Sequence, residues 1–188
     1  MTAPAPSPPP TPPGKPRRRY LRWAFDIALI LAVLFAFNAW RTRDVPPGPL
    51  PDFHAHLSTG AAISLNAWRE RHSDRPALIY FWADWCPVCT AVEPGINRIA
   101  RDWPVLGVAM QSGTIDEVAA LRAERNVPWE TMVDTQGRLS SQLGVRGVPT
   151  FIIVDASGAT RFVRTGYVTS LGLRARLWWA ASVSASSD

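Results

Sequence analysis

The chain has 188 residues, 47% of them apolar and 19% charged, with a formal net charge of +5 and only two cysteines. That length suits one hydrophobic core, and two cysteines exclude both a disulfide-rich scaffold and a zinc site built from two cysteine pairs. Seven positive residues precede Val45 against two acids, leaving thirteen arginines and thirteen acids in the remainder, so the charge marks the N-terminal segment and excludes a nucleic-acid-binding face.

Residues 1–22 form the first unit. Eight prolines fall within the first 16 residues and predict a flexible or polyproline-II tail. Lys15, Arg17, Arg18, Arg19 and Arg22 follow. Trp23 to Trp40 is then an apolar run in which only Asp26 and Asn38 are strongly polar. As a helix this run spans roughly 27 Å, close to the hydrocarbon thickness of a bilayer. Trp23 and Trp40 stand at its two ends, where interfacial aromatics belong. Asp26 lies near enough to one end to reach the interface. The basic cluster outweighs Arg41 and Arg43, which predicts a single-pass anchor with the N-terminus in the cytoplasm and the remainder periplasmic. Phe37, Asn38, Ala39 and Trp40 make poor cleavage flanks, against a removed signal peptide. Arg17-Arg18-Arg19-Tyr20-Leu21-Arg22 also resembles a twin-arginine export signal; orientation charge is the simpler reading, and both deliver the domain outside the cytoplasm.

Residues 41–49, ending in Val45-Pro46-Pro47-Gly48-Pro49, read as a stiff linker, residues 50–180 as one soluble domain, and residues 181–188 as a short tail. Ile63 to Arg71 predicts a short helix opened by Ser64 or Asn66. Ala77 to Trp82 is a continuous apolar run of strand length, as expected of a strand buried on both faces. Cys86 to Arg101 predicts a helix, with Ile96, Ile99 and Ala100 toward the core and Pro94 within it. A strand over Val105 to Met110, a helix over Ile115 to Arg125, a short strand over Thr131 to Val133 and a short helix over Leu139 to Leu143 follow. Thr150 to Val154, Asp155-Ala156-Ser157-Gly158 and Thr160 to Arg164 predict a β-hairpin, and Leu171 to Trp179 a closing helix. This order predicts an α/β sandwich with a central mixed sheet flanked by helices.

The chemistry concentrates in Cys86-Pro87-Val88-Cys89, which follows the apolar strand. The spacing fits one helical turn, so the thiols can approach. At a helix N-terminus the first sulfur meets unpaired N–H groups and the positive end of the dipole, both favouring the nucleophilic thiolate. The second sulfur lies three residues on and can resolve a mixed disulfide. A structural disulfide would close only a short loop and constrain the unfolded chain little. A metal site would need further ligands, and His54, His56 and His72 all precede the pair. Redox exchange is the favoured of the three. Pro87 costs little at the first helical position but withdraws a donor from the sulfur, and Val88 adds no charge.

Phe81-Trp82-Ala83-Asp84-Trp85-Cys86-Pro87-Val88-Cys89 resembles the active-site segment of the thioredoxin superfamily. Pro94 matches that family's helix proline, and Gly147-Val148-Pro149-Thr150 resembles its cis-proline loop. Leu50-Pro51-Asp52-Phe53 and Ile63-Ser64-Leu65 resemble the opening of the membrane-anchored, cytochrome-maturation-type (TlpA-like) branch, and the Pro-Val dipeptide resembles its suppressor-for-copper-sensitivity D type. The likeness spans Leu50 to Trp179. It implies a thioredoxin-like fold, a redox-active Cys86–Cys89 disulfide, Cys86 as the more exposed attacking thiol and Cys89 as the buried resolving thiol. Trp85 would shield the sulfur pair, and Val148, preceding a cis Pro149, would offer backbone groups to an extended substrate. No cofactor is implied. The implied partners are a membrane thiol-electron transporter as donor and disulfides of extracytoplasmic proteins as substrates, in cytochrome c maturation or copper tolerance.

Two positions depart from the pattern. Tyr80 stands where thioredoxins carry a buried acid, and Val92 where the cytochrome-maturation type often carries a glutamate. Glu93, one place on, either accepts the Cys89 proton or faces solvent, the second being favoured. His54-x-His56 puts two imidazoles on one face of a strand, a possible copper clamp, though solvated surface is the simpler reading. The rivals to a reductase are an oxidase of the same fold and a non-catalytic copper-binding assembly module. A redox-inactive adaptor is disfavoured because both thiols are present.

Overall fold

The computed structural model describes residues 48–184, together with residues 20, 23–30, 32, 33 and 36. The proline-rich tail, most of the linker and the last four residues lie outside the described residues. Residues 23–30 are helical (α1). The remainder of the anchor expected over 23–40 falls partly outside the described residues, and among the described residues no helix is long and apolar enough to cross a membrane.

Residues 48–184 build one mixed sheet. Its strands are β1 (Gly48–Pro49), β2 (His54–Leu57), β3 (Ala62–Ser64), β4 (Ala77–Trp82), β5 (Val105–Met110), β6 (Glu130–Asp134), β7 (Thr150–Val154) and β8 (Ala159–Thr165), in the spatial order β1-β8-β7-β4-β5-β6-β2-β3. β4, β5 and β6 run parallel, and β7 runs antiparallel to β4. The helices are α2 (Leu65–Glu70), α3 (Pro87–Ile99), α4 (Ile115–Glu124), α5 (Arg138–Gln142) and α6 (Ser170–Ser184).

The central position of β4 explains its unbroken apolar sequence. Leu78, Tyr80 and Trp82 pack on one face with Val92, Ile96 and Ile99 of α3 and Leu173 and Leu177 of α6. Ala77, Ile79 and Phe81 pack on the other with Trp68 of α2 and Leu139 and Leu143 beside α5. Strand side chains alternate, so both faces must be apolar when both are covered. Ser64 opens α2 by accepting from the Ala67 N–H at 3.0 Å. Thr114 and Glu117 form a reciprocal capping box on α4. Asp134 holds α5 to the end of β6, accepting from the N–H groups of Leu139 and Ser140 and from the Ser140 hydroxyl.

The predicted layers form, with shifted edges. Gly48 and Pro49 of the expected linker join the sheet beside β8. α6 runs to Ser184, past the expected end at Trp179 and into the expected tail. β2 carries the strand expected at His54-x-His56 and pairs with both β6 and β3, whereas β3, the short edge strand, takes Ile63 and Ser64 from the expected helix. The active-site helix begins at Pro87 and ends at Ile99, since Cys86 has extended backbone and caps the helix.

Candidate active site

The loop after β4 is assembled from its own and neighbouring polar groups. The Asp84 N–H donates to Ser112 Oγ at 3.1 Å, and the Trp85 N–H donates to Asp84 Oδ1 at 2.8 Å. Cys86 then stands at the N-cap of α3, with φ −99° and ψ 102°. Its sulfur takes the cap role that a hydroxyl or carboxylate usually fills, accepting from the Cys89 N–H at 3.1 Å. Pro87 occupies the first helical turn, where no intrahelical N–H bond is lost. The two cysteines are joined as a disulfide with Cα atoms 5.2 Å apart.

Both cysteines are buried, Cys86 at 5% exposure and Cys89 at 2%. The expected order holds, but the margin is small. Exposure belongs to the flanking residues: Trp85 is 57% exposed and Val88 39%. Trp85 lies on the surface, its indole N–H donating to the Gln111 carbonyl at 3.1 Å. Gln111 itself has a positive φ of 49° at the end of β5.

The loop containing Val148 and Pro149 leaves the same end of the sheet. Thr150 pairs with Phe81 at the end of β4, so Pro149 lies one residue beyond that pair. The Val148–Pro149 bond is cis, as the resemblance implied. Val148 is half-buried and packs against both core clusters. The Pro149 carbonyl accepts from the Gly166 N–H at 2.8 Å, and Thr150 Oγ1 donates to the Gly147 carbonyl at 2.7 Å. These bonds fix the loop from both sides.

Beneath Cys89 the arrangement departs from the sequence-based expectation. The Tyr80 hydroxyl donates to the Cys89 carbonyl at 3.3 Å. Burial pushes the Tyr80 phenol pKa well up, the Glu93 carboxylate adds to the rise, and Arg125 partly offsets it. Tyr80 is therefore a neutral donor at the position where thioredoxins carry an acid. Glu93 does not stand free in solvent: its side chain is largely buried and pairs with Arg125 at 3.4 Å. Val92 points into the core. Ser112, Gln111, Arg125 and Gly166 were not legible as site residues, because each arrives from a distant loop or helix and carries no local motif.

His54 and His56 are both exposed on β2, two residues apart on one face. His56 Nδ1 lies 3.2 Å from the Gly60 carbonyl. Among the described residues, no group of three or more His, Cys, Asp or Glu side chains gathers to hold a metal.

A family model described as AhpC/TSA matches residues 47–163, which include the cysteine pair and the Val148–Pro149 loop. The chain belongs to the AhpC/TSA family. It is 30% identical over 164 residues to a thioredoxin-like protein of Haemophilus influenzae, covering 87% of this chain and 96% of that one. It is 28% identical over 166 residues to the thiol:disulfide interchange protein DsbE of Pseudomonas fluorescens biotype C, covering 83% and 92%. A secreted Mycobacterium tuberculosis disulfide oxidoreductase, described as homologous to DsbE of E. coli, shares the fold at TM-score 0.57 and 23% identity, covering 68% of this chain and 95% of that one. The thioredoxin-like fold, the close cysteine pair and these relatives make this member of the family a thiol:disulfide oxidoreductase.

Proposed function

We propose that this AhpC/TSA-family protein is a membrane-tethered periplasmic reductase of protein disulfides. The observation that carries the reading is Cys86 as the cap of α3, its sulfur accepting the Cys89 N–H while Cys89 sits one turn below. In the reduced protein the Cys86 thiolate attacks one sulfur of a substrate disulfide. The substrate S–S bond breaks, one substrate thiolate leaves, and a mixed disulfide forms. Cys89 loses its proton and attacks the Cys86 sulfur, releasing the second substrate thiolate. Two electrons pass to the substrate, two protons complete its thiols, and the Cys86–Cys89 disulfide is left. A membrane thiol-electron transporter would reduce that disulfide again.

Trp85 and Val88 give the rim an apolar surface for the substrate, and the Val148–Pro149 loop offers extended backbone. Pro149 lacks an N–H and cannot add a competing ladder bond there. Glu93, held by Arg125 one helical turn beyond Cys89, is the candidate to take the Cys89 proton. The apolar run at 23–40 and the charge excess before it support the tether and the periplasmic orientation. The tether favours reduction, because it keeps the domain near membrane electron carriers at raised effective concentration. The Pro87-Val88 dipeptide supports the copper-tolerance branch, with apocytochrome c thiols as the other substrate class.

The test is reduction of insulin disulfides by the full-length protein with a dithiol as electron source. Turnover that disappears in Cys86→Ser supports the reading. No turnover in the parent protein, with oxidation of reduced substrates instead, replaces it with a disulfide-introducing enzyme.

A further inference from the structure

The outward face of α6 carries no charge. Leu171, Ala175, Trp178 and Ser182 recur at helical spacing and are all exposed, with Trp179 beside them. Leu171 is 77% exposed, Trp178 66% and Trp179 50%. The inward face is the ordinary core stripe of Leu173, Leu177 and Ala180. A helix on a water-facing surface normally shows charge opposite its core stripe, and Leu171, Ala175, Trp178 and Trp179 supply none.

The two tryptophans are supported from below. Trp178 meets the buried Trp103 edge-on at 5.4 Å between ring centroids, and Trp179 meets Phe162 at 5.1 Å. α6 contains two arginines and no acid. Arg174 bonds the Arg98 carbonyl and Asp102, and Arg176 bonds the Gly172 carbonyl at 2.7 Å, so both flank the stripe in fixed positions. Arg98 and Arg101 are exposed at the adjoining end of α3. The local charge is positive, with Asp102 the acid bonded within it.

The entry point of the chain lies close by. Gly48 pairs with Thr160 on β8, two residues from the Phe162 that carries Trp179. Seven residues separate Gly48 from Trp40, a reach of at most roughly 29 Å when extended. A linker of this length keeps the domain near any bilayer that residues 23–40 enter.

We propose that the outward face of α6 docks on the anionic bilayer surface, Trp178 and Trp179 at headgroup level and the exposed Arg98 and Arg101 beside it drawn to lipid phosphates. The proposal rests on the reading of residues 23–40 as an anchor. Trp178 packs near the C-terminal end of α3, through Trp103, whereas Cys86 caps the N-terminal end, so Trp178 and the disulfide lie at opposite ends of α3.

The experiment uses the full-length protein in nanodiscs of phosphatidylcholine and phosphatidylglycerol. A benzophenone amino acid replaces Ala175 or Ser182, both exposed, and His54 serves as the control position. After irradiation, mass spectrometry should find lipid adducts at Ala175 and Ser182 several-fold above those at His54. Trp178→Ala with Trp179→Ala in the Ala175-labelled chain should reduce the adduct to the control level. Retention in the disc without enrichment at α6, or a cross-link to protein instead of lipid, overturns the docking while the anchor stands. Loss of the chain from the disc under alkaline carbonate overturns the anchor and the docking with it.

Discussion

The backbone N–H of Cys89 donates to the sulfur of Cys86 across 3.1 Å. A single bond thus orders the two sulfurs along α3: Cys86 at the helix end, where thiolate is favoured, and Cys89 within the buried face. Cys89→Ala with Cys86 intact should accumulate mixed disulfides with protein substrates, because the attack succeeds and the release does not. Rapid alkylation followed by non-reducing electrophoresis reads this. Trapping by Cys86→Ala in place of Cys89→Ala would reverse the two roles.

The environment of Cys86 predicts a reducing couple. Pro87 removes one N–H from the helix end, Val88 carries no charge, and the Cys89 N–H is the donor the sulfur receives from α3. A thiolate with few stabilising partners makes the reduced form less favourable, so the protein gives up electrons readily. The potential should lie nearer about −270 mV than about −120 mV, the values of thioredoxin and of a strong oxidant. Equilibration in glutathione buffers with quantified alkylation of Cys86 and Cys89 measures it. A value at the oxidant end removes the reductase reading.

Asp155 predicts an acid-sensitive hairpin. Burial opposes its ionisation, but hydrogen bonds from Ser157, Arg161 and the Ala159 N–H, with the Arg161 charge, outweigh burial and hold its carboxyl pKa below the ordinary value. A carboxylate with a depressed folded pKa adds stability that is present above its unfolded pKa of about 3.9 and is lost as pH falls through the lower folded value. Asp155→Asn should lower stability at pH 7 and flatten the acid limb below about pH 4. Urea unfolding from pH 7 down to the acid limit checks both; an unchanged acid limb would remove Asp155 as its source.

Gly107 predicts a packing limit in β5. A Cβ there would stand 2.7 Å from Trp129 Nε1 and 2.9 Å from Thr131 Oγ1, both on buried side chains. Gly107→Ala should cost about 1–3 kcal/mol through overpacking. The midpoint of urea unfolding should fall without loss of dithiol content. An unchanged midpoint would mean that Trp129 moves aside freely.

Much of this protein was legible before any fold was known. Ala77–Trp82 announced a strand covered on both faces, because six consecutive apolar residues satisfy both sides of a pleat. The cysteine spacing announced exchange chemistry, and the proline between the thiols fitted the first turn of a helix. These signals are local, and periodicity and spacing encode them directly.

What only the tertiary structure decided was the company each group keeps. Whether Glu93 met solvent or a partner depended on Arg125, 32 residues away on the cap of another helix. Tyr80 could be read as a missing acid, but its bond to the Cys89 carbonyl required α3 to fold over β4. The sequence placed Trp178 and Trp179 on a closing helix without assigning them a face, and only the packing of α6 turned them outward. The strand and helix periods fix which residues share a face of one element. Burial of a face, and the partner of a polar atom, are set by elements that meet only when the chain closes on itself.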